Sequence, residues 1–511
     1  IGANYESAIQ AKEGFVLNPQ LDWEKLYKAN SSISQGGEAA YVLYDDVIKD
    51  NQFTANITSN IDVNSHLKVD IGFTHKRLSS KNFAQINDLL GAAYHRDIDT
   101  FSETLNDTSS DVNKFEEDIF NYNYNLNGSN TAMFTQLNAN YNKVKVFVTG
   151  KYVLDNFRRN GLFQNERFLD NSIGESEQIK FSNWSIKSGA TYTITGRHWV
   201  AVNTAYINRA PVLQNIFINP RENNAIVPDL QSERITSVDA SYFLRMPKLT
   251  GRLTGFYTRF QNTTDVNFFF VDSGVGSDFV QEVLTDLDKL HLGAELGLEY
   301  QLSSAVKLSL VTSIAKYEYA SNPFVTINFD TAGASEDLID VSGSKFLGQS
   351  AVKGYKLAQG PQKAIAAGIE YRDPKYWWIS GSANYLGNNY ANISTITRTQ
   401  SFLIDPETQL RFTDATDENV QKLLKQKPLD NFYLLNMVGG KSWLRKGKYI
   451  SVFASINNVF DTTFRTGGYE QSRNGNYGQL KQDNLSGNPS FAPKYWYGFG
   501  RTYFLNFAFS F

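Results

Sequence analysis

The chain has 511 residues with 49 basic and 52 acidic side chains, a net charge of −3 and no cysteine. This composition excludes disulfides, thiolate catalysis and cysteine-ligated metals, and the balanced charge offers no case for nucleic-acid binding. A mean hydropathy of −0.38 combined with 14% aromatic residues suits a transmembrane β-barrel or a large soluble β-protein such as a propeller.

Residues 1–50 show no strand pattern and are predicted to form a loop with one short helix at Asp22–Lys28. After them, apolar and polar residues alternate with period two in many successive segments. The clearest of these segments are Phe53–Ile61, Leu67–Phe73, Val144–Tyr152, Val306–Ile314 and Tyr503–Phe511. Such alternation indicates antiparallel β-strands that have one apolar face and one polar face.

The length of the predicted strands and the order of their connections favour a membrane barrel. The strands have about 10–16 residues, whereas soluble strands average about 5–6 and a tilted bilayer-spanning strand needs about 9–11. Short connections lie near Asp62–Ser65, Asn142–Lys143, Gly196–Arg197, Pro247–Lys248, Ser303–Ser304, Asp373–Lys375 and Arg445–Gly447. Long connections lie near Lys81–Gly128, Arg159–Ser176, Ala210–Leu230, Val266–Thr285, Asn322–Gly360, Ile393–Pro428 and Thr463–Trp496. Short periplasmic turns opposite long extracellular loops are the rule in outer-membrane barrels.

About 15 strands are predicted between Asn51 and Phe511, and bacterial single-chain barrels close with an even number of strands. An odd set cannot close alone, because lipid does not tolerate open strand edges. We therefore expect an all-β fold: an incomplete transmembrane antiparallel β-barrel over residues 51–511, preceded by the remnant of an extracellular loop at residues 1–50. Further strands and a signal peptide are expected before Ile1, since no basic region followed by an apolar stretch opens the chain.

Two segments near the C-terminus resemble those of TonB-dependent outer-membrane receptors. The residues Asn457, Asn458, Val459, Phe460 and Asp461, followed by Phe464, resemble the N-L-F-D-x-x-Y signature of that family. The last strand resembles the C-terminal signal of such barrels, which closes the barrel and ends in Phe. The residues expected to form this membrane-insertion signal are Tyr503, Leu505, Phe507, Phe509 and Phe511.

Other segments resemble the same family. Arg209-Ala-Pro211, Ile216-Phe217 and Pro228–Glu233 resemble its R-A-P … N-P-x-L-x-P-E loop, with an altered spacing at Pro228. Three segments resemble the Bacteroidetes branch, namely Gly368–Trp378, Gly439–Trp443 and Arg465–Arg473. SusC-like receptors of that branch often carry an N-terminal carboxypeptidase-regulatory-like domain, and some pair with a surface lipoprotein.

The resemblance covers residues 51–511 and implies the C-terminal part of a 22-stranded barrel whose plug domain is absent from this chain. It implies TonB-dependent active import of a nutrient across the outer membrane of a bacterium by a multi-pass membrane protein. The implied partners are a TonB-type inner-membrane energy-coupling complex, acting through the plug, outer-membrane lipids and a surface lipoprotein. No cofactor is expected, and the resemblance assigns no ligand-binding residue.

Alternative functions and sites are open at this point. A passive porin-like barrel, or a structural barrel of an outer-membrane assembly, would show the same strands, whereas no catalytic constellation supports an enzyme. Trp377 is predicted to lie in an interfacial aromatic girdle, and Tyr495–Tyr497 fit either a girdle or a ligand platform. The acidic stretch Asp107–Asp118 is interpreted as a solvated loop, because its spacing fits no EF-hand calcium site.

Overall fold

The computed structural model describes residues 10, 13–31, 37–99, 102–272, 277–329, 343–358, 360–485 and 487–510, except for the side chains of residues 270–278. In this part, three α-helices have the bounds α1 (Trp23–Ser31), α2 (Asp417–Leu423) and α3 (Tyr477–Leu485). The strands are β1 (Leu43–Asp62), β2 (Leu67–Asp88), β3 (His95–Arg96), β4 (Asn113–Lys114), β5 (Ile119–Tyr141), β6 (Val144–Gly161), β7 (Gly174–Glu175), β8 (Ile179–Thr195), β9 (His198–Arg209), β10 (Glu233–Arg245), β11 (Leu249–Asp272), β12 (Ser277–Gln301), β13 (Val306–Tyr319), β14 (Phe324–Phe329), β15 (Ser344–Gln349), β16 (Lys363–Asp373), β17 (Trp377–Gly387), β18 (Asn389–Tyr390), β19 (Pro428–Leu429), β20 (Phe432–Arg445), β21 (Lys448–Asn457), β22 (Arg465–Tyr469), β23 (Lys494–Tyr497) and β24 (Thr502–Ser510).

Among the described residues, 18 strands form one large antiparallel sheet. Each long strand pairs with the next long strand along the chain, from β1 with β2 through to β21 with β24. Short turns make this order possible, because an antiparallel pair can be joined by as few as two residues. Within the described ranges, β1 and β24 do not pair with each other.

The sheet is larger than the sequence pattern predicts. The strands β7, β14 and β15 lie inside connections that were expected to be loops, and β1 begins at Leu43, so the expected boundary at residue 50 falls inside this strand. The expected loop Val266–Thr285 was also wrong, because β11 and β12 continue through most of it. Val280, Val283 and Leu284 are all buried, so both faces of this hairpin are covered and its apolar residues do not alternate.

The pairing register gives the sheet two chemically different faces. One row across β1, β2, β5 and β6 consists of Ile57, Phe73, Met133 and Tyr152. A neighbouring row across the same strands consists of Asn60, Asp70, Gln136 and Thr149. We call the side with the first row the apolar face and the side with the second row the polar face. Exposed fractions of 70% for Ile57 and 56% for Met133 show that the apolar face is uncovered.

Two rows of Tyr and Trp border the apolar face. The row near the short turns contains Tyr141, Tyr192, Tyr300, Tyr371 and Trp377, which places Trp377 where a girdle was predicted. The second row contains Tyr152, Trp184, Tyr257, Tyr385 and Tyr433. Met133, the partner of Tyr152, lies eight residues from Tyr141 on β5. Eight residues span roughly 26 Å along a strand, close to the ~25 Å apolar band of outer-membrane barrels.

Beyond the second aromatic row, the strands continue and the long connections fold onto them. The connection after β9 buries Ile216 and Phe217 completely against Ile86, Phe120 and Leu126. The hairpin of β14 and β15 packs on β12 in a second apolar cluster that includes Ile396. None of the described helices is long and apolar enough to cross a membrane. The packing of these two clusters makes the connections an ordered layer at one end of the sheet.

Candidate ligand-binding site

The ordered connections enclose a cavity of about 620 Å³, which we call the loop pocket. Its walls come from β11 and β12, from the end of β13, and from the connections around residues 357, 392 and 470. The side chains that define its chemistry are Asp265, Asn267, Glu282, Lys289, Tyr319, Asn392, Ser394, Thr395, Tyr469, Glu470 and Trp496. A cavity of this size is in the range of sites that bind small molecules.

An irregularity in the β11–β12 hairpin directs polar side chains into the loop pocket. The pairing shifts between Phe260 and Asp265, and Asn262 and Asp286 adopt left-handed φ angles of 56° and 55°. Asn and Asp tolerate this conformation better than other side chains. After the shift Asp265 reaches Lys289 on the polar face, with 2.9 Å between the carboxylate oxygen and Nζ. The bulge thus sets one ion pair in the pocket wall.

Glu282 is a buried carboxyl group in the same wall. The Asn267 amide donates a hydrogen bond of 3.0 Å to Oε2, and the Thr395 hydroxyl donates to Oε1. Its neighbours on the strand, Val280 and Leu284, pack in the same cluster as Ile396. Burial raises the pKa of Glu282 to about 7, although both hydrogen bonds favour the ionised form. Neutral pH therefore lies close to the pKa of this carboxyl group.

A second ion pair joins two connections at the loop pocket, where Glu470 is a residue of the wall. The buried guanidinium of Arg398 donates to both carboxylate oxygens of Glu470, at 2.6 and 3.1 Å. It also donates to the carbonyl oxygens of Ser394 and Leu424, at 2.8 and 2.7 Å. A bidentate pair of this kind fixes geometry as well as charge. Glu470 is thus neutralised by Arg398, as Asp265 is by Lys289.

An aromatic wall completes the loop pocket. Trp496 on β23 pairs with Gly467 on β22, and its ring centroid lies 5.6 Å from that of Tyr469. A Cβ atom at Gly467 would lie 2.9 Å from the indole, so glycine lets the ring lie against the strand. Trp496 is 58% exposed. Of the two interpretations for Tyr495–Tyr497, the structure places Trp496 in the wall of a cavity.

The motif at Asn457–Asp461 forms the turn that ends β21. Asn458 has a left-handed φ of 50° and is buried. Its amide donates to the carbonyl oxygens of Thr462 and Phe499, at 2.8 and 3.3 Å, and its Oδ1 accepts from the Thr462 amide at 2.9 Å. The Asp461 carboxylate accepts from the Arg501 amide at 2.7 Å. The motif therefore holds the start of the last strand, while Phe460 is exposed and Val459 donates to the Leu435 carbonyl.

The R-A-P segment and the glutamate of its partner segment meet across two strands. Arg209 ends β9, Glu233 begins β10, and the two are direct partners in the antiparallel register. The Arg209 guanidinium donates to the buried Glu233 carboxylate at 2.7 Å. The connection between them carries Ile216 and Phe217 into the apolar cluster on β2 and β5. This ion pair closes the base of that connection.

The residues expected to form a membrane-insertion signal lie on β24. Tyr503, Leu505, Phe507 and Phe509 have exposed fractions of 57–70% and alternate on the apolar face, and Phe511 lies outside the described residues. The insertion role itself stays a prediction. The structure brings this group and Asn457–Asp461 together through the pairing of β21 with β24, but neither reaches the loop pocket.

Most of the acidic stretch Asp107–Asp118 is solvated as expected, because Asp111, Glu116 and Glu117 are exposed, but two of its charged residues are not. Asp107 and Lys114 are buried, at 5% and 7% exposure. The Asp107 carboxylate accepts from the Ser109 hydroxyl at 2.7 Å and from the Gln164 amide at 3.1 Å. Hydrogen bonds within this connection and from the connection after β6 thus replace solvent around Asp107. Across the described ranges, no group of three or more His, Asp or Glu side chains is arranged to hold a metal ion.

Several solved structures share the fold of this chain at low sequence identity. The copper transporter OprC matches with a TM-score of 0.55 at 14% identity, over 92% of this chain and 57% of that chain. The ferric yersiniabactin uptake receptor FyuA from Yersinia pestis matches with a TM-score of 0.53 at 11% identity, over 91% of this chain and 55% of that chain. The ferric citrate transporter FecA matches with a TM-score of 0.52 at 10% identity, over 91% of this chain and 56% of that chain. The chain thus spans a little over half the length of each.

Sequence comparison identifies the family directly. No protein with a curated description matches the chain in sequence. The sequence model of the family described as TonB dependent receptor-like, beta-barrel, matches residues 2–459. This match includes the first three residues of the Asn457–Asp461 motif and most of the sheet. The chain therefore belongs to the TonB-dependent receptor-like β-barrel family.

Proposed function

We propose that the protein imports a nutrient across the outer membrane of a bacterium in a TonB-dependent manner. The family match over residues 2–459 carries this proposal. Receptors of this family couple to a TonB-type energy-transducing complex in the inner membrane. In the proposal, a plug domain outside this chain makes that contact, and the sheet described here forms the C-terminal part of a 22-stranded barrel wall.

The two faces of the sheet support a membrane barrel with a hydrated passage. The apolar face, bordered by two aromatic rows, faces lipid, and the polar face lines the lumen. On the polar face, Asp70 accepts hydrogen bonds of 2.5 Å from Asn60 and 2.6 Å from Asn138. Asn138 in turn accepts from Gln136 at 2.9 Å, and Gln136 accepts from Thr149 at 2.7 Å. This continuous polar chain over four strands suits a wall in contact with water or a polar plug.

The remaining parts of the proposal concern assembly. Tyr503, Leu505, Phe507, Phe509 and Phe511 serve as the signal for the membrane-insertion machinery. The exposure of the first four of these residues on an alternating last strand supports that role. Membership of the Bacteroidetes branch and pairing with a surface lipoprotein are proposed from the resemblance of Gly368–Trp378, Gly439–Trp443 and Arg465–Arg473 alone. We assign no enzymatic activity.

The loop pocket is proposed as the place where the imported ligand first binds. Its wall combines segments more than 200 residues apart, from Asp265 to Trp496, and it lies at the end of the sheet with the long connections. The similar solved structures are named for transport of copper, ferric yersiniabactin and ferric citrate. Those names do not fix the ligand of this chain, because each identity is at most 14%.

A liposome-swelling assay separates gated import from passive diffusion. The full-length gene product is reconstituted into vesicles, which are then diluted into isotonic arabinose. We expect vesicles with the protein to swell no faster than empty vesicles, because a plugged receptor admits no small solute without energy. A bacterial porin serves as the positive control. Swelling at the porin's rate would show a passive pore and contradict gated import.

A further inference from the structure

We propose that a basic patch on the apolar face binds the phosphate groups of a glycolipid in the outer leaflet, of the lipid A class. The patch consists of Lys49, Arg77, Lys81 and Lys180, and we call it the basic rim. The inference rests on the part of the proposed function in which the apolar face meets lipid, and it does not depend on the imported ligand. Its support comes from the position, the uncompensated charge and the spacing of these four residues.

The pairing register places the basic rim just beyond the second aromatic row. Arg77 follows Phe73 by four residues on β2, which is roughly 13 Å along the strand. Its direct partner on β1 is Phe53, which is 62% exposed on the same face. Lys49 and Lys81 lie a further four residues from Phe53 and Arg77. Basic side chains beyond an aromatic belt lie at the height of the lipid headgroups rather than of the acyl chains.

Two charges of the basic rim are placed directly opposite each other. Lys49 and Lys81 are partners in the register of β1 and β2. Their ammonium nitrogens lie over the same buried ring of Phe83, at 5.1 and 5.2 Å from its centroid. Like charges opposite each other on neighbouring strands destabilise a sheet. The ring attracts both cations but does not neutralise them. An anion bound between the two side chains removes their repulsion.

The protein itself does not supply that anion. In the described part of the chain, none of the four cations of the basic rim forms an ion pair with a carboxylate. The same face of β11, β12 and β13 carries paired charges instead. There, Arg259 pairs with Asp288 at 2.7 Å, and Glu318 pairs with Lys316 and Lys356, also at 2.7 Å. The charge of the basic rim is therefore available to a ligand from the membrane.

The spacing of the basic rim suits a headgroup with two anionic ends. Arg77 pairs with Ser129, Ser129 with Asn156, and Asn156 with Lys180, so these residues form one row across β2, β5, β6 and β8. The two cations are three strand spacings apart, or roughly 14 Å. Between them, Asn156 donates a hydrogen bond of 3.3 Å to Ser129. Such uncharged side chains can both donate to and accept from hydroxyl groups. The row therefore fits a saccharide that carries a phosphate at each end.

Native mass spectrometry of the full-length protein released from detergent measures bound lipid directly. The probes are lipid A with two phosphates, the same lipid A after enzymatic removal of both phosphates, phosphatidylglycerol and inorganic phosphate. We expect saturable binding of the phosphorylated lipid A, at least tenfold tighter than binding of the dephosphorylated lipid. The K49Q/R77Q/K81Q variant should weaken this binding about a hundredfold, because each basic side chain at an anionic lipid surface contributes roughly fivefold.

The matched control is K76Q/K151Q/K187Q, which removes three exposed lysines from the polar face of β2, β6 and β8. Lipid does not reach that face, so affinity for phosphorylated lipid A should change less than about twofold. Four results would overturn the inference: equal binding of the two forms of lipid A, equally tight binding of phosphatidylglycerol, displacement of lipid A by an equal concentration of inorganic phosphate, or equal effects of the two triple variants.

The outcome for the basic rim is distinguishable from the outcome for import. If TonB-dependent import persists although the basic rim binds no phosphorylated lipid A, only the lipid site is wrong. If phosphorylated lipid A binds as expected but import does not need TonB, the lipid site stands and the proposed function is wrong.

Discussion

Replacing Arg159 with methionine is expected to loosen the connection after β9 by about 3 kcal/mol. The guanidinium of Arg159 is 1% exposed and donates to the Pro220 and Ser172 carbonyl oxygens at 2.7 and 2.8 Å and to Asn224 at 2.6 Å. The substitution leaves three buried acceptors unpaired, at a cost of about 1–3 kcal/mol each. Part of this cost is offset, because the substitution also removes a buried charge that no carboxylate compensates. Burial of that charge lowers the pKa of Arg159 to about 10.

Hydrogen exchange at the amides of Asn224 and Val227 measures this effect, because the Val227 amide donates to the Ile216 carbonyl within the connection and the Asn224 amide donates to the Asn171 carbonyl in the connection after β6. Their local opening should become roughly a hundredfold more frequent in the variant. The neighbouring substitution Arg158→Met is the control, since Arg158 is half-buried and pairs with the exposed Glu175 at 2.5 Å. This control substitution should change the free energy of local opening by less than about 1 kcal/mol. Equal effects of the two substitutions would show that Arg159 does not anchor this connection.

Replacing Val148 with arginine is expected to destabilise the folded barrel by about 2–4 kcal/mol. Val148 lies on the apolar face and pairs with Leu137. Leu137 lies midway along β5 between Tyr141 and Met133. This position corresponds to the middle of the band between the two aromatic rows. A charged side chain there must leave water for hydrocarbon, and the penalty is largest at the bilayer midplane.

The matched substitution is Thr149→Arg, one residue further along β6. Thr149 lies on the polar face, where it donates to Gln136 at 2.7 Å. An arginine there remains in polar surroundings, so we expect a loss of less than about 1 kcal/mol. Urea titration of the full-length protein refolded into lipid vesicles yields both free energies. Similar values for the two arginine variants would mean that the apolar face of β6 does not face lipid.

The strands and their two faces could be predicted from the sequence because alternation is a local signal. Phe53–Ile61 shows its period within nine residues, and the register indeed places Ile57 with Phe73 and Met133 on one face. The paired strands that extend past the second aromatic row were missed. There, loops cover both sides of β11 and β12, so Val280, Val283 and Leu284 are all apolar and the alternation disappears.

The loop pocket could not be predicted, because its contacts join residues far apart in sequence. Glu282 meets Thr395 across 113 residues, and Arg398 meets Glu470 across 72. No local pattern encodes such a contact. The sequence offered one signal, a carboxyl group at Glu282 between Val280 and the apolar pair Val283–Leu284, since a buried carboxyl requires a partner. The sequence revealed the family motif but not its structural role. The structure shows that Asn458 lies in the turn after β21 and holds the start of β24 through the Phe499 carbonyl.

Genetic interaction with TonB tests the central claim of energy-coupled import most directly, and it needs no knowledge of the ligand. Fitness is measured over a panel of carbon, nitrogen and metal sources for cells lacking this receptor, cells lacking TonB and cells lacking both. We predict a growth defect of the receptor deletion on at least one source. On that source, removing the receptor from cells without TonB should cause no further loss. An additive loss in the double deletion would show that the protein works without TonB and would contradict the proposed function.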